Sequence, residues 1–188
     1  MKSRLPLPAR PARRLLLLLL PLLALGAASC EEALKDLLTF QISDSSTVTL
    51  PAAPITGTFS LPGVPVTSTS ANTYKNNNTQ AEYVQDVTLD ELKLTITAPA
   101  GQNFDFLKSI SISIATNSSG TDKVALAALS DVPRGQTTIT LTPAGSKLDA
   151  FLLNSSYTLF TTAELVQPLT QSITLRTDAR YNVRARQP

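Results

Sequence analysis

Apolar and polar residues alternate with a period of two over most of the chain, beginning at Thr39. Phe40 and Ile42, then Val48 and Leu50, then Ile55, Phe59 and Leu61 each keep one parity, and the last group stops at Pro62-Gly63. Leu92, Leu94 and Ile96 interleave with Lys93, Thr95 and Thr97 ahead of Pro99 and Gly101. Phe104, Phe106, Ile110, Ile112 and Ile114 share a parity, Val124 and Leu126 follow, and Ile139 and Leu141 end at Pro143. Tyr157, Leu159 and Thr161 form another candidate strand, and the last run puts Ile173, Leu175, Tyr181 and Val183 on one face. Successive side chains of a strand point to opposite sides, so each run offers an apolar face to a core and a polar face to water. With Pro and Gly between the runs, the pattern predicts an all-β fold, an antiparallel β-sandwich of about seven or eight short strands.

Three stretches depart from that period. Residues 31–38 place Leu34, Leu37 and Leu38 at helical spacing behind Glu31 and Glu32, which predicts a short N-terminal helix. Thr67 to Gln80, with Asn72 and the run Asn76-Asn77-Asn78, reads as an exposed loop, and Thr79 to Asp86 adds a helical turn. Leu148, Phe151 and Leu152 suggest one more such turn. Pro-Ala-Gly occurs at 99–101 and again at 143–145, each time after a Thr/Ile/Leu strand. A common way of ending a strand accounts for this, as does a duplicated half-sandwich. The nearest architectures in shape are immunoglobulin-like and late-embryogenesis-abundant-like sandwiches, an analogy that carries no function.

Ahead of the strands the chain changes character. Lys2, Arg4, Arg10, Arg13 and Arg14 stand without an acid, Leu15 to Leu25 is apolar except for Pro21, and Gly26-Ala27-Ala28-Ser29 follows. Charged, apolar and small residues in that order make an export signal, and the apolar run is about half of the roughly 20 residues a membrane-spanning helix needs. The chain accordingly divides into a signal peptide at 1–29, an N-terminal stretch with the short helix at 30–38, and a sandwich domain at 39–188. The full chain carries 16 Lys and Arg against 14 Asp and Glu, but five of the basic residues lie in the signal; 188 residues less 29 leaves 159, with 11 basic and 14 acidic. A mildly acidic domain gives nucleic acid no electrostatic footing, and its size supports a core without disulfides.

Leu25-Gly26-Ala27-Ala28-Ser29-Cys30 resembles the lipobox of a Gram-negative bacterial lipoprotein precursor, with the chain's one cysteine at the cleavage point. It departs from the strongest form of that pattern in having Ala27, not Leu, three places before the cysteine. The segments Leu94-Thr95-Ile96 and Phe104 to Ile110 are likewise similar to part of exported, uncharacterised lipoproteins. The resemblance implies a diacylglycerol thioether and an amide-linked acyl chain, such as palmitate, on Cys30. It also implies residence in the cell envelope, at the outer membrane on its periplasmic face or at the cell surface. At about 0.8 kcal/mol per buried methylene, three chains hold a protein to a bilayer effectively for good. The alternative is a conventional signal peptide cut at the same place, leaving an unmodified N-terminal Cys30.

The chain has no His and no Trp. Ser-His-Asp and Cys-His catalysis and histidine-bearing zinc sites are therefore excluded, a single cysteine excludes an intrachain disulfide, and neither cofactor nor metal is expected. Asn117 to Asp122 has oxygen donors without the spaced acids of a calcium loop and reads as a turn. Asp90 and Glu91 are adjacent acids in a strand, where neighbours face opposite ways, so they are not expected to make the facing pair of a glycosidase. Arg176, Arg180, Arg184 and Arg186 share a parity with Asp178. They form either a contact for acidic polysaccharide, lipid headgroups or an acidic partner, or a solvated outer face. Tyr74 and Tyr83 are the candidate anchors if the loop at 67–80 recognises a ligand; the same loop also serves as a plain crossover. The expectation is a non-enzymatic, lipid-anchored structural or binding module. Its partners are the membrane through Cys30 and an envelope protein or polysaccharide, with no nucleic acid. Alternatives are a carbohydrate- or matrix-binding accessory subunit of an uptake or adhesion complex, and an unrecognised hydrolase.

Overall fold

The computed structural model describes residues 37–186; the expected signal segment, Cys30 and positions 31–36 of the expected N-terminal helix lie outside the described residues. Leu37 and Leu38, assigned to that helix by their spacing, instead open the first strand. Nine strands follow among the described residues: β1 (Leu37–Leu50), β2 (Gly57–Ser60), β3 (Val64–Thr67), β4 (Val84–Ala98), β5 (Leu107–Ala115), β6 (Val124–Leu129), β7 (Thr138–Pro143), β8 (Ser156–Leu165) and β9 (Ile173–Arg186). Two short helices, α1 (Ser70–Asn76) and α2 (Asp149–Leu152), and a 3₁₀ turn at Ala81–Tyr83 lie in the connections.

The fold is an all-β antiparallel sandwich. Strands run β1-β9-β4-β7 in one layer and β6-β5-β8 in the other, with β2 and β3 lying end to end along the outer edge of β8. β7 belongs to both layers: Thr138 to Leu141 pair with β4, while Thr142 and Pro143 pair with β6. The sandwich is thus closed by hydrogen bonds along β7. Among the described residues, no strand pairing joins β1 to β2 or β3 on the opposite flank. There the chain leaves β3, forms α1 and returns to the first layer as β4.

The period-two reading places the core correctly in most strands. In β9, Ile173, Leu175, Thr177, Ala179, Tyr181, Val183 and Ala185 are all buried while the residues between them are not. Leu92 and Leu94, Ile110, Ile112 and Ile114, and Ile139 and Leu141 fill the same interior. Phe104 and Phe106 are buried as well, in the turn before β5. Ile55 is a correction: it is 66 % exposed in the connection before β2, so its parity with Phe59 and Leu61 was a coincidence of spacing. β1 and β4 are not short, at 14 and 15 residues. β4 keeps its long pairing with β9 through three irregularities, one of them between Leu89 and Glu91. The stretch at 67–80, expected as an exposed loop, contains α1 and buries Ser70, Tyr74 and Thr79.

Close packing around Phe160 gives a direct test. Gly120 has φ 65° and a Cβ there would lie 2.8 Å from Phe160 Cζ, whereas Gly135, at φ 72°, has open space around the same position. Alanine at either site meets left-handed backbone strain of about 1 kcal/mol, and at Gly120 overpacking adds roughly 1–3 kcal/mol. Thermal denaturation should show a clearly larger loss for Gly120→Ala than for Gly135→Ala; equal losses would mean that the ring yields freely.

Candidate functional site

The outward face of β4, β9 and β1 carries the most ordered polar chemistry in the described residues. Arg176, Arg180, Arg184 and Arg186 do share one face of β9, as their parity predicts. Three of them are matched by acids. Arg184 Nη2 meets Asp86 at 2.7 Å, Arg176 Nε meets Asp178 at 2.8 Å, and Arg180 Nε meets Asp90 at 2.6 Å. Arg180 Nη2 also reaches Glu91 at 3.2 Å. That double contact corrects the expectation that Asp90 and Glu91 point to opposite sides. The irregularity between Leu89 and Glu91 sets two residues of β4 against one of β9, so both carboxylates emerge on the outer face. Lys93 closes the row on Glu91 at 2.8 Å.

Hydrogen bonds extend the row to β1. Gln41 Nε2 donates to Asn182 Oδ1 at 2.9 Å, Asn182 Nδ2 donates to Asp90 Oδ1 at 3.1 Å, and Ser45 Oγ donates to Asp178 Oδ1 at 2.6 Å. These contacts ascend β1 as they descend β9, so the two strands run antiparallel. The hydrogen bond from Arg180, helped by Asn182 and opposed by partial desolvation, holds the Asp90 carboxyl below the usual range, and Asp90 raises Arg180 in turn. At Asp178 burial works upward but is outweighed by Ser45 and Arg176, leaving that carboxyl low as well. This surface is a charge-matched ribbon. Its two adjacent carboxylates are bridged by one guanidinium on the outside of a sheet, with Lys93 supplying the second positive charge at Glu91, and are not set across a cleft from one another.

A second cluster sits where α1 crosses the open flank. Asp44, inward-facing on β1 and 2 % exposed, accepts the Thr69 N–H at 2.7 Å and the Thr69 hydroxyl at 2.9 Å on Oδ1. Its Oδ2 is buried without a hydrogen bond among the described residues. Tyr181 donates to the Tyr157 hydroxyl at 3.0 Å deep in the same region. Burial raises both phenols, with the Tyr181 and Asp44 charges adding at Tyr157 and that of Asp44 at Tyr181. Tyr74 is not an exposed anchor. It is 3 % exposed, donates to the Leu152 carbonyl at 3.0 Å and stands edge-on to Phe40. Burial, then the charges of Asp149 and Asp44, push its phenol up to about 12. Tyr83 lies in the 3₁₀ turn, half-buried, and does not line the cleft that Tyr74 borders.

That cleft has a volume of about 600 Å³ and is lined mainly by apolar surface from Ala71, Tyr74, Ala81 and Leu153, with Lys75 and Gln80 at its polar side. Farther along the open flank, Val48, Pro51, Phe59, Leu61 and Val64 border a cleft of about 400 Å³. Parity in the sequence revealed the arginine row. It gave no sign of Asp44, which sits in a polar run, nor of Leu153, which follows the α2 turn.

The fold defines this chain as an antiparallel β-sandwich, and comparison with known proteins adds no family to that. No family model matches the chain, and neither does any curated protein. Solved structures similar to it include a decameric BFDV capsid protein, with a TM-score of 0.40 at 11 % identity over 80 % of this chain and 99 % of that one. A putative secreted protein from Eubacterium rectale has a TM-score of 0.38 at 14 % identity, covering 80 % of this chain and 40 % of that one. FLHE follows with a TM-score of 0.33 at 11 % identity, covering 79 % and 97 % respectively. Likenesses this distant carry nothing about what the chain does.

Two measurements test the site. Asp90 and Asp178 are held low, so the stability they contribute is fully present above the ordinary carboxylate range near pH 4 and is lost as pH falls through their lower folded values. Thermal melts between about pH 5 and 2 should therefore decline, and Asp90→Asn should flatten part of that decline; an unchanged slope would show that Arg180 does not hold the carboxyl. Asp44→Ala leaves the Thr69 N–H without its acceptor and should cost about 1–3 kcal/mol in denaturant unfolding.

Proposed function

We propose that the chain is a lipid-anchored lipoprotein of the cell envelope whose sandwich is a non-enzymatic structural or binding module, held at the outer membrane through Cys30. The observation that carries this reading is the junction itself. The chain's one cysteine stands directly after the basic, apolar and small-residue segments of an export signal, and the first strand begins at Leu37, seven residues later. That arrangement fits a domain tethered closely to a bilayer. The charge-matched outer face favours a surface that stays soluble over one that captures a polyanion, since three of the four arginines on β9 already meet acids of this chain. The second reading, an accessory subunit that binds carbohydrate or matrix, draws no support from Tyr74, whose ring is packed inside.

Replacing Cys30 tests the proposal. Cys30→Ala should abolish metabolic labelling with a fatty acid and move the protein from the membrane fraction to the soluble one. Mass spectrometry of the wild-type N-terminus should find the acyl chains. A wild-type N-terminus with an unmodified cysteine, or a Cys30→Ala variant that stays in membranes, would overturn it.

A further inference from the structure

One end of the sandwich gathers the start of β1, α1, the start of β4, the turn after α2 and the end of β9. Thr69 of the α1 connection binds Asp44 of β1, Thr79 Oγ1 donates to the Arg186 carbonyl at 2.8 Å, and Ser70 Oγ donates to the Asn154 carbonyl at 3.3 Å. Val84 lies opposite Ala185 in the ladder. The 600 Å³ cleft opens here, and Leu153 on its rim is 45 % exposed. Lys75, in the last turn of α1, lines the same cleft and takes part in no salt bridge among the described residues. The acids nearby are buried Asp44, bonded to Thr69; Asp86, paired with Arg184; exposed Glu82; and Asp149 on α2. An apolar rim with a lysine beside it matches the way a surface segment meets a bilayer, the stem of the lysine on hydrocarbon and its ammonium at the headgroups.

Chain length decides which end faces the membrane. Seven residues from Cys30 to Leu37 span at most about 25 Å when fully extended. The 14 residues of β1 run roughly 45 Å. An inverted domain would hold Leu37 farther from the leaflet than the tether reaches. The two other exposed large apolar residues among the described residues, Ile55 and Val166, lie toward the opposite end, near the bridge of Ala53 to Leu169 and the bond from Val166 N to the Phe106 carbonyl.

We infer that the α1 end is the face laid on the phospholipid leaflet, with Leu153 and the apolar cleft meeting acyl chains and Lys75 meeting headgroup phosphate. The inference rests on the proposed lipidation of Cys30 and adds an orientation to it.

The test uses the full mature protein in vesicles of phosphatidylcholine and phosphatidylglycerol that contain a lipid carrying a shallow nitroxide on its acyl chain. An acylated Cys30 does not react with maleimide, so Leu153→Cys and, as control, Ile55→Cys each accept one fluorescent label. Quenching by the nitroxide lipid should be roughly threefold or more stronger at position 153 than at 55, because an interfacial apolar face sits about 5–10 Å into the headgroup and acyl boundary. Lys75→Glu in the Leu153→Cys background should lower that quenching about twofold by setting like charge against the anionic headgroups. Equal quenching at 153 and 55, or stronger quenching at 55, overturns the orientation. An unchanged value with Lys75→Glu overturns the headgroup contact. Maleimide uptake by the wild-type chain exposes an unmodified Cys30 and overturns the lipidation reading and the orientation built on it, a result that quenching alone does not mimic.

Discussion

Asp44 is the one carboxylate among the described residues that is fully buried, and the open flank of the sandwich depends on it. Among the described residues, backbone pairing closes the two layers only along β7. Across the other flank the chain passes through α1, seven residues that would be marginal as an isolated helix and that carry no side-chain cap of their own. Asp44 supplies the missing acceptor from the neighbouring strand, taking both the N–H and the hydroxyl of Thr69. The ring of Tyr74 then fills the space against Phe40 and bonds to Leu152. An apolar side chain at position 44 would pack as well against Ile42's surroundings but would leave a backbone donor at the flank without its partner. The cleft beside α1 lies where about two helical turns, in place of a strand, cross this flank.

The outer face answers to a different constraint. Asp86 lies opposite Arg184 in the β4–β9 ladder, and Glu91 lies opposite Arg180. Exposed ion pairs of this kind contribute about 0–1 kcal/mol each, against about 1.5–3 kcal/mol for burying a large apolar side chain such as Leu175 or Val183 behind them. The pairs therefore add little to stability. Their value lies in register: a slip of one residue would turn Arg180 and Arg184 into the core and expose Tyr181 and Val183. The irregularity at Leu89 and Glu91 belongs to the same scheme, since it lets one guanidinium reach two carboxylates that would otherwise stand on opposite sides of the sheet.

Where a strand buries one face and wets the other, the sequence shows it openly; β9, β5 and β7 are legible from parity alone. β1 is not, because Ser43, Asp44, Ser45 and Ser46 look like a turn between two apolar pairs, and only the docking of Thr69 explains a carboxylate on the inner face. The α1 segment was obscured by its Asn and Thr content, which matches a loop until Tyr74 and Ser70 find partners far away in the chain. At Asp90 and Glu91 local parity failed for a reason invisible without the partner strand, since an extra residue in β4 has meaning only against β9. The arginine row was legible, with Asp178 beside Arg176, but the neutralisation of Arg180 and Arg184 was not, because their acids lie ninety residues or more earlier.

Charge and anchoring divide the work between them under the proposed function. With 11 basic and 14 acidic residues after position 29, the domain has no net attraction to an anionic surface. Its densest row of arginines is matched within a few ångströms, far inside the screening length of about 8 Å at physiological salt. Such a surface neither steers the protein toward a membrane nor holds it there. Acyl chains on Cys30 would supply all of the affinity, and no favourable protein–lipid contact would be needed to keep the domain in place. What remains for the fold is to set which side faces outward. A short tether would limit that choice to the end where β1 begins, so a few side chains around α1 would suffice to fix orientation without any strong binding of their own.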